Sequence, residues 1–375
     1  MSARLHVLVG SGGVGKTTLS AGYALALARS GRRVGLLGID PAKRLQSALG
    51  ITLPDLEVKV PDGGAGELSA ALLRPADCLR RWANEACADE ERRKRLESNA
   101  FFLAMADRLA GASDILAAVR MAEWPERDPS LTDLVVDTAP GLNAVEFLQR
   151  PKTLVAFVEG RLVTWLRWLA KGRGGAFGGL VRSGARAIGG LARIGGTKML
   201  FELADFLLLV EDVLTRMMTR LERAQQWLKQ PDTEVLLVTA VRDEAVSTVA
   251  QFTTALKAVG ITPAAVVVNR ALPVELAAEL APIDLATLSG DEAAVVRFAR
   301  GTAAVQARLV TALQAVTPVV KVVPAARGLD SDDRLAALAR LGEALVDAST
   351  GSARTERAPV QPERSRGPLL HGPPG

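Results

Sequence analysis

The chain has 375 residues, of which 49% are hydrophobic, so it can bury a large core, either as several domains or as one α/β domain with an insertion. Its formal net charge of +5 at pH 7 is modest for this length and does not by itself indicate a nucleic-acid partner. The chain has two cysteines and two histidines (Cys78, Cys87, His6 and His371), and their spacing argues against structural zinc within one chain.

The amino-terminal sequence runs directly into a strand pattern, without the charged segment and small-residue cleavage site of a secretory signal. No uncharged apolar run reaches the roughly 18 residues that would span a bilayer. We therefore expect a cytoplasmic protein, and peripheral contact with a membrane stays open.

Apolar strand patterns alternate with helical patterns along most of the chain. The predicted strands are residues 5–9, 33–39, 134–136, 235–241, 264–268 and 319–323. The predicted helices include residues 17–30, 243–257 and 331–346, and residues 68–123 have a largely helical pattern. Continuous apolar strands alternating with helices are typical of a parallel sheet that is covered on both faces. The predicted fold class is α/β, with a mainly parallel, doubly wound sheet and a helical insertion.

A glycine-rich loop follows the first predicted strand and opens the first predicted helix. Gly10, four further residues, Gly15, Lys16 and Thr17 satisfy the P-loop pattern in the context that this pattern requires. In such a loop the lysine reaches the β- and γ-phosphates and the hydroxyl ligates Mg²⁺, so Lys16 is also a candidate catalytic residue. The candidate nucleotide-binding residues are Gly10, Gly12, Gly13, Val14, Gly15, Lys16, Thr17 and Thr18. The alternative is an ordinary glycine-rich turn.

Three polar residues follow or end other predicted strands. Asp40 and Asp137 lie at carboxyl ends of strands, where doubly wound sheets bind their ligands. Asp137 is suited to hold Mg²⁺ through water, and Asp40 could orient the attacking water. Asn269 could donate to and accept from an adenine edge. Each of the three could instead be a helix cap or a turn residue.

The stretches GSGGVGKTT, GIDPA, VVDTAPG and VVVNRALP, in this order and approximate spacing, resemble the ArsA family of P-loop ATPases. The resemblance implies ATP and Mg²⁺ as cofactors and a homodimer as the working form. It implies phosphate and Mg²⁺ roles for Lys16 and Thr17, a water-orienting role for Asp40, an indirect Mg²⁺ contact for Asp137 and an adenine contact for Asn269.

Three departures limit what the resemblance implies. Ser11 stands where family members usually carry a lysine that reaches the partner's nucleotide, so either Lys43 or Arg44 replaces that charge or hydrolysis is slow and less dependent on pairing. Residues 141–143 replace the threonine, glycine and histidine that commonly follow the family's DTAP segment. The two cysteines lack CxxC spacing, which disfavours arsenite transport.

The segment 161–200 is basic and contains no acidic residue. On a helix, Arg182, Arg186 and Arg193 would share one face, which could lie on an anionic membrane or hold an apolar helix. The alternative is a helical subdomain that packs on its own neighbours. A helical seam favours this alternative and consists of Leu203, Phe206, Val210, Leu214, Met217, Leu221 and Leu228.

We expect residues 1–150 and 231–347 to form a discontinuous ATPase domain. Residues 151–230 are predicted to form a helical insertion, to which residues 68–123 could contribute. Residues 348–375 are predicted to form a disordered tail. The expected function is Mg²⁺-dependent ATP hydrolysis coupled to a conformational change of a helical subdomain. We expect residues 161–230 of this subdomain to contact a hydrophobic protein cargo or a membrane surface. One alternative is a MinD-like membrane-positioning or scaffold protein with slow hydrolysis. A small-molecule kinase is a third possibility, against which the DTAPG and NRALP stretches argue.

Overall fold

The computed structural model describes residues 3–40, 44–61, 64–87, 89–99, 102–103, 113–141, 189–317, 319–326, 328–329, 331 and 333–350. Several predictions concern residues outside these ranges. They include the first part of the predicted insertion, with Arg182 and Arg186, the candidate cation Lys43, and the predicted tail beyond residue 350.

The secondary structure alternates between strands and helices. In chain order the elements are β1 (Arg4–Gly10), α1 (Lys16–Arg29), β2 (Arg33–Gly38), α2 (Arg44–Leu49), β3 (Val58–Val60), β4 (Glu67–Leu72), α3 (Pro75–Ala86), α4 (Glu90–Glu97), α5 (Ser113–Arg127), β5 (Asp133–Asp137), α6 (Gly189–Leu228), β6 (Glu234–Ala240), α7 (Ala245–Ala258), β7 (Ala265–Ala271), α8 (Val274–Leu280), a 3₁₀ turn (Leu285–Thr287), α9 (Gly290–Gln314), β8 (Val320–Pro324) and α10 (Arg334–Thr350).

The strands form one 8-stranded sheet in the order β3-β4-β2-β5-β1-β6-β7-β8. Every neighbouring pair is parallel except β3 and β4, which are antiparallel. In this register Leu8 of β1 lies opposite Asp137 of β5, and Gly10 lies opposite Val238 of β6. The carboxyl ends of the central strands therefore meet at one edge of the sheet, which brings the predicted site residues together.

Each face of the sheet carries its own hydrophobic core. On one face the core includes side chains of α1, α2 and α10, and on the other it includes side chains of α3, α5, α6 and α7. The α1 and α10 helices approach so closely that a Cβ on Gly342 would lie 2.0 Å from the main-chain oxygen of Gly22. Glycine at this crossing lets the two backbones touch and places α10 against the middle of the P-loop helix.

The α/β fold class is confirmed, and each of the six predicted strands overlaps an observed one. The structure adds two strands, β3 and β4, at one end of the sheet. The prediction of helix from residue 68 is wrong at β4, whose sequence ELSAAL contains good helix formers. Pairing with β2 and β3 outweighs this local preference, and only the tertiary fold supplies that pairing.

The α6 helix belongs to the core for much of its length. Within the predicted seam, Phe206, Leu214, Met217, Leu221 and Leu228 are buried in the same core as the strands. Residues 206–228 therefore use their apolar face inside the domain, and Met217 is a core residue. The side chains of the other two predicted seam residues lie outside the described part of the structure.

None of the helices in the described part of the chain is both long enough and apolar enough to cross a bilayer.

Candidate nucleotide site

The loop between β1 and α1 needs glycine at three positions. Gly10 has a φ of 151°, and a Cβ there would lie 2.2 Å from the main-chain oxygen of Val238 on β6. Gly13 and Gly15 have φ values of 75° and 88°, in the left-handed region that favours glycine. Val14, between them, is 1% exposed and anchors the loop in the core. The predicted P-loop is thus a tight turn that is fixed at both ends.

Lys16, the first residue of α1, is 7% exposed and lines the cavity beside the loop. Its Nζ donates to the main-chain oxygens of Gly10 and Ser11, each at 2.9 Å. Burial lowers the pKa of the ammonium, and the charges of Asp137 and Asp40 partly oppose this effect. A buried ammonium at the base of the loop favours an anionic ligand.

Asp137 ends β5 and is 1% exposed. Its carboxylate accepts hydrogen bonds from the hydroxyl of Thr17 and from that of Ser20, the latter at 3.1 Å. Burial raises the pKa of this carboxyl to about 6, although these hydrogen bonds and the charge of Lys16 act in the opposite direction. The site therefore holds an acidic group directly behind the P-loop hydroxyl.

These oxygen donors fit Mg²⁺, which prefers hard oxygen ligands and usually takes few of them from the protein. The Thr17 hydroxyl would be the direct ligand, and the Asp137 carboxylate would act through water. The described residues contain no group of three His, Cys, Asp or Glu that could hold a metal ion. The metal roles of Thr17 and Asp137 stay predictions.

Asp40 follows β2, and its carboxylate lines the same cavity as Lys16 and Thr17. The preceding residue, Ile39, donates its main-chain N–H to the carbonyl of Asp137 at 2.9 Å, which fixes the end of β2 against β5. Arg44, at the start of α2, places Nη1 3.9 Å from Asp40 Oδ2. The predicted water-orienting carboxylate thus faces the cavity beside an arginine.

Asn269 on β7 lies against the P-loop. Its side chain is buried at 4% exposure, and Nδ2 donates to the Val14 carbonyl at 2.8 Å. Its Oδ1 accepts from the main-chain N–H of Arg270 at 2.9 Å. The amide therefore supports the P-loop from below, and contact with adenine stays a prediction. Arg270 has a φ of 58°, the one positive φ among the described non-glycine residues.

One cavity of about 720 Å³ joins most of these groups. Among the predicted residues, Gly13, Gly15, Lys16, Thr17, Thr18 and Asp40 line it. The side of the loop away from the cavity is shaped by Gly10, Val14 and Asn269. Gly12 is exposed at the tip of the loop. Arg270, Arg334 and Leu338 also line the cavity.

Sequence reasoning missed these three lining residues and Ser20. Arg270 had a local signal, because it follows Asn269 directly. Ser20 lies one helical turn after Lys16, which places it on the same face of α1. Arg334 and Leu338 come from α10, and only the fold brings that helix to the cavity.

The sequence profile of the anion-transporting ATPase family matches residues 3–281. Among curated proteins, the chain is 32% identical over 149 residues to the ATPase GET3 of Malassezia globosa, covering 39% of this chain and 41% of the relative. It is 29% identical over 146 residues to the ATPase GET3 of Mycosarcoma maydis, covering 39% of this chain and 41% of the relative. An arsenical pump-driving ATPase of Acidiphilium multivorum is 27% identical over 159 residues, covering 40% of this chain and 26% of the relative.

The matched stretch thus spans less than half the length of each of these relatives. The family profile, in contrast, covers the P-loop, both strand-end aspartates and the β7 asparagine. Together with the parallel sheet and the geometry of the loop, this match shows that the chain belongs to the ArsA family of anion-transporting ATPases.

Proposed function

We propose that this chain binds ATP with Mg²⁺ in the P-loop cavity and hydrolyses it. The observation that carries the proposal is that Lys16, Thr17 and Asp40 line one cavity, with Asp137 hydrogen-bonded behind Thr17. A buried ammonium, a hydroxyl and two carboxylates match the charges of a nucleoside triphosphate, its metal ion and an attacking water. The names of the relatives, which are ATPases, agree with this chemistry.

In the proposed reaction, water attacks the γ-phosphorus as the bond to the bridging oxygen of the leaving ADP breaks. Asp40 accepts a hydrogen bond from the attacking water and orients it. Lys16 gives up its main-chain acceptors and stabilises charge on the phosphates, since a phosphate oxygen is a stronger acceptor than a carbonyl. Mg²⁺, when bound at Thr17, supplies further positive charge to the phosphates.

The proposal is tested with Lys16→Ala in the full chain. We expect no ATP hydrolysis above background in this variant, because the cavity loses the cation that faces the phosphates. Lys59→Ala is the matched control, since its side chain is 77% exposed on β3, and it should keep wild-type activity. Thermal melting of both variants checks the fold. Wild-type hydrolysis by Lys16→Ala would overturn the assignment.

We further propose that the nucleotide state of the cavity changes the position of α6. Arg220 on α6 lies 3.7 Å from the buried carboxylate of Glu123 on α5, which also pairs with Arg81 on α3. Arg81 in turn lies 2.8 Å from Asp55, in the segment that follows α2. Because α2 itself follows Asp40 closely in the chain, these contacts support a connection between the cavity and α6.

This coupling is measured by hydrogen exchange of α6 with ADP and with a non-hydrolysable ATP analogue, each with Mg²⁺. We expect the two nucleotides to give different protection in the wild type and in Arg223→Ala, whose arginine is 50% exposed and pairs with Glu126 on the surface. Arg220→Ala should remove the difference. Equal protection with both nucleotides in the wild type would contradict the coupling.

We propose an apolar or membrane-associated partner for this helix and the segment before it. Residues 206–228 bury their apolar face in the domain, so residues 161–205 make the contact with this partner in the proposal. Flotation with anionic liposomes, with and without ATP, separates the two kinds of partner. Binding that needs ATP and disappears when Arg182, Arg186 and Arg193 are replaced by glutamine would indicate a membrane surface. A chain that stays unbound would favour a protein partner.

A further inference from the structure

Three arginines line the nucleotide cavity in addition to Lys16, within the described part of the chain: Arg44, Arg270 and Arg334. The three arginines differ in the groups that their side chains already contact. The guanidinium of Arg334 donates to two main-chain oxygens, at 2.8 and 3.1 Å, and so ties α10 to the end of α2 and to the loop before α10. Arg334 is therefore a structural cation at the wall of the cavity.

Arg270 and Arg44 lie at different parts of the cavity. A Cβ added to Gly15 would lie 3.8 Å from Arg270 Nε, so Arg270 is beside the start of α1. Arg44 is instead next to the carboxylate of Asp40, at 3.9 Å. Asp40 orients the attacking water in the proposed function, and this water must approach the γ-phosphate. Of the two arginines, Arg44 is therefore the one beside the residue that orients the attacking water in the proposed function.

The backbone of Arg44 is held by its buried neighbours, while its side chain is largely exposed. The next residue, Leu45, is 1% exposed, and Leu49 at the end of α2 is 3% exposed, so both anchor the helix in the core. The Arg44 side chain itself is 63% exposed and is paired with Asp40 only at long range. Such a pair is weak, so a phosphate oxygen would compete well for the guanidinium.

The P-loop itself offers one cationic side chain, Lys16, because position 11 is a serine. In the transition state charge is spread over the three equatorial oxygens of the γ-phosphoryl group, and arginines near P-loops stabilise it. A second cationic side chain for the γ-phosphate would therefore come from outside the loop. Arg44 is in the same chain, on a fixed helix and within the same cavity.

We propose that Arg44 is a catalytic residue that supplies, from within one chain, the positive charge that stabilises the γ-phosphoryl group during hydrolysis. This inference rests on the proposed function. In the reaction, ATP and water give ADP, inorganic phosphate and a proton released to solvent. Arg44 donates hydrogen bonds to γ-phosphate oxygens and neither gains nor loses a proton. The second chain of the predicted homodimer is not needed to supply this positive charge.

The test compares steady-state ATP hydrolysis by the full chain carrying Arg44→Ala, Arg44→Lys or the control Arg80→Ala. Arg80 is a close match for Arg44: its side chain is 62% exposed and pairs with Asp77 on the same helix at 3.6 Å, but it lies outside the cavity lining. We expect Arg44→Ala to lower kcat by about 100-fold with little change in the Kd for ATP. Arg44→Lys should keep part of the activity, and Arg80→Ala all of it.

A second measurement does not depend on turnover. ADP with aluminium fluoride imitates the phosphoryl group in transfer, so its affinity reports contacts made in the transition state. We expect Arg44→Ala to lose this tight binding while it keeps its affinity for ADP alone. The rate per wild-type chain should not depend on protein concentration.

The possible failures are distinguishable. If Lys16→Ala abolishes ATP hydrolysis but Arg44→Ala hydrolyses ATP within about threefold of the wild-type rate, the role of Arg44 is overturned and the proposed function stands. Unchanged binding of ADP with aluminium fluoride by Arg44→Ala overturns the role as well. A wild-type chain that hydrolyses no ATP overturns both proposals.

Discussion

Replacing Asn269 by alanine removes two hydrogen bonds beneath the P-loop. In the wild type Nδ2 donates to the Val14 carbonyl at 2.8 Å, and Oδ1 accepts from the Arg270 N–H at 2.9 Å. The variant leaves the buried carbonyl without this donor, at a cost of about 1–3 kcal/mol. The N–H of Arg270 is only part-buried and costs less, about 1 kcal/mol. We expect the free energy of unfolding to fall by about 2–4 kcal/mol.

The same variant should weaken binding of every ligand that uses the loop. We expect equal loss of affinity for ATP and for inorganic tripolyphosphate, each with Mg²⁺, because the contact with Val14 does not involve the base. Urea unfolding without nucleotide gives the stability, and titration calorimetry gives the two affinities. Asn84→Ala, at an exposed position on α3, is the control and should change stability by less than about 0.5 kcal/mol.

The two roles of Asn269 give opposite results. If the amide serves only to recognise adenine, Asn269→Ala will keep its stability and its affinity for tripolyphosphate but lose affinity for ATP. That result would refute the reasoning from the two hydrogen bonds.

Two further predictions concern stability. Gly342→Ala places a Cβ 2.0 Å from a main-chain oxygen of α1 and should lower the free energy of unfolding by about 3 kcal/mol. Gly301→Ala, with open space around it on α9, should raise this free energy by up to about 1 kcal/mol. Urea unfolding of the two variants measures both changes. Burial opposes charge on His6, but hydrogen bonds from its ring to Asp133 and Glu234 outweigh burial and raise its pKa, while the same bonds lower the pKa of both carboxyls. Stability from His6 is therefore lost as the pH rises above about 6.5, and stability from the carboxyls is lost as the pH falls below about 4.5. His6→Gln should remove the loss above pH 6.5, and identical unfolding profiles for this variant and the wild type would contradict the prediction.

The sequence by itself determined the features whose causes are local. The P-loop can be recognised because glycine at Gly10, Gly13 and Gly15 is required by the backbone conformation at each position. The strands of the central sheet can be recognised because parallel strands covered on both faces are continuously apolar. The strand ends then place Asp40 and Asp137 at the same end of the sheet, because the carboxyl ends of parallel strands lie together.

Only the tertiary structure decided the features that depend on distant partners. β4 is a strand because β2 and β3 pair with it, although its residues favour a helix. Met217 is a core residue because α6 packs on α5, and Asn269 holds the P-loop because β7 passes beneath Val14. Such contacts join residues far apart in the chain, so no local pattern encodes them. The position of Arg44 depends on both, because Arg44 follows Asp40 by four residues and the core that buries Leu45 and Leu49 fixes the helix on which it lies.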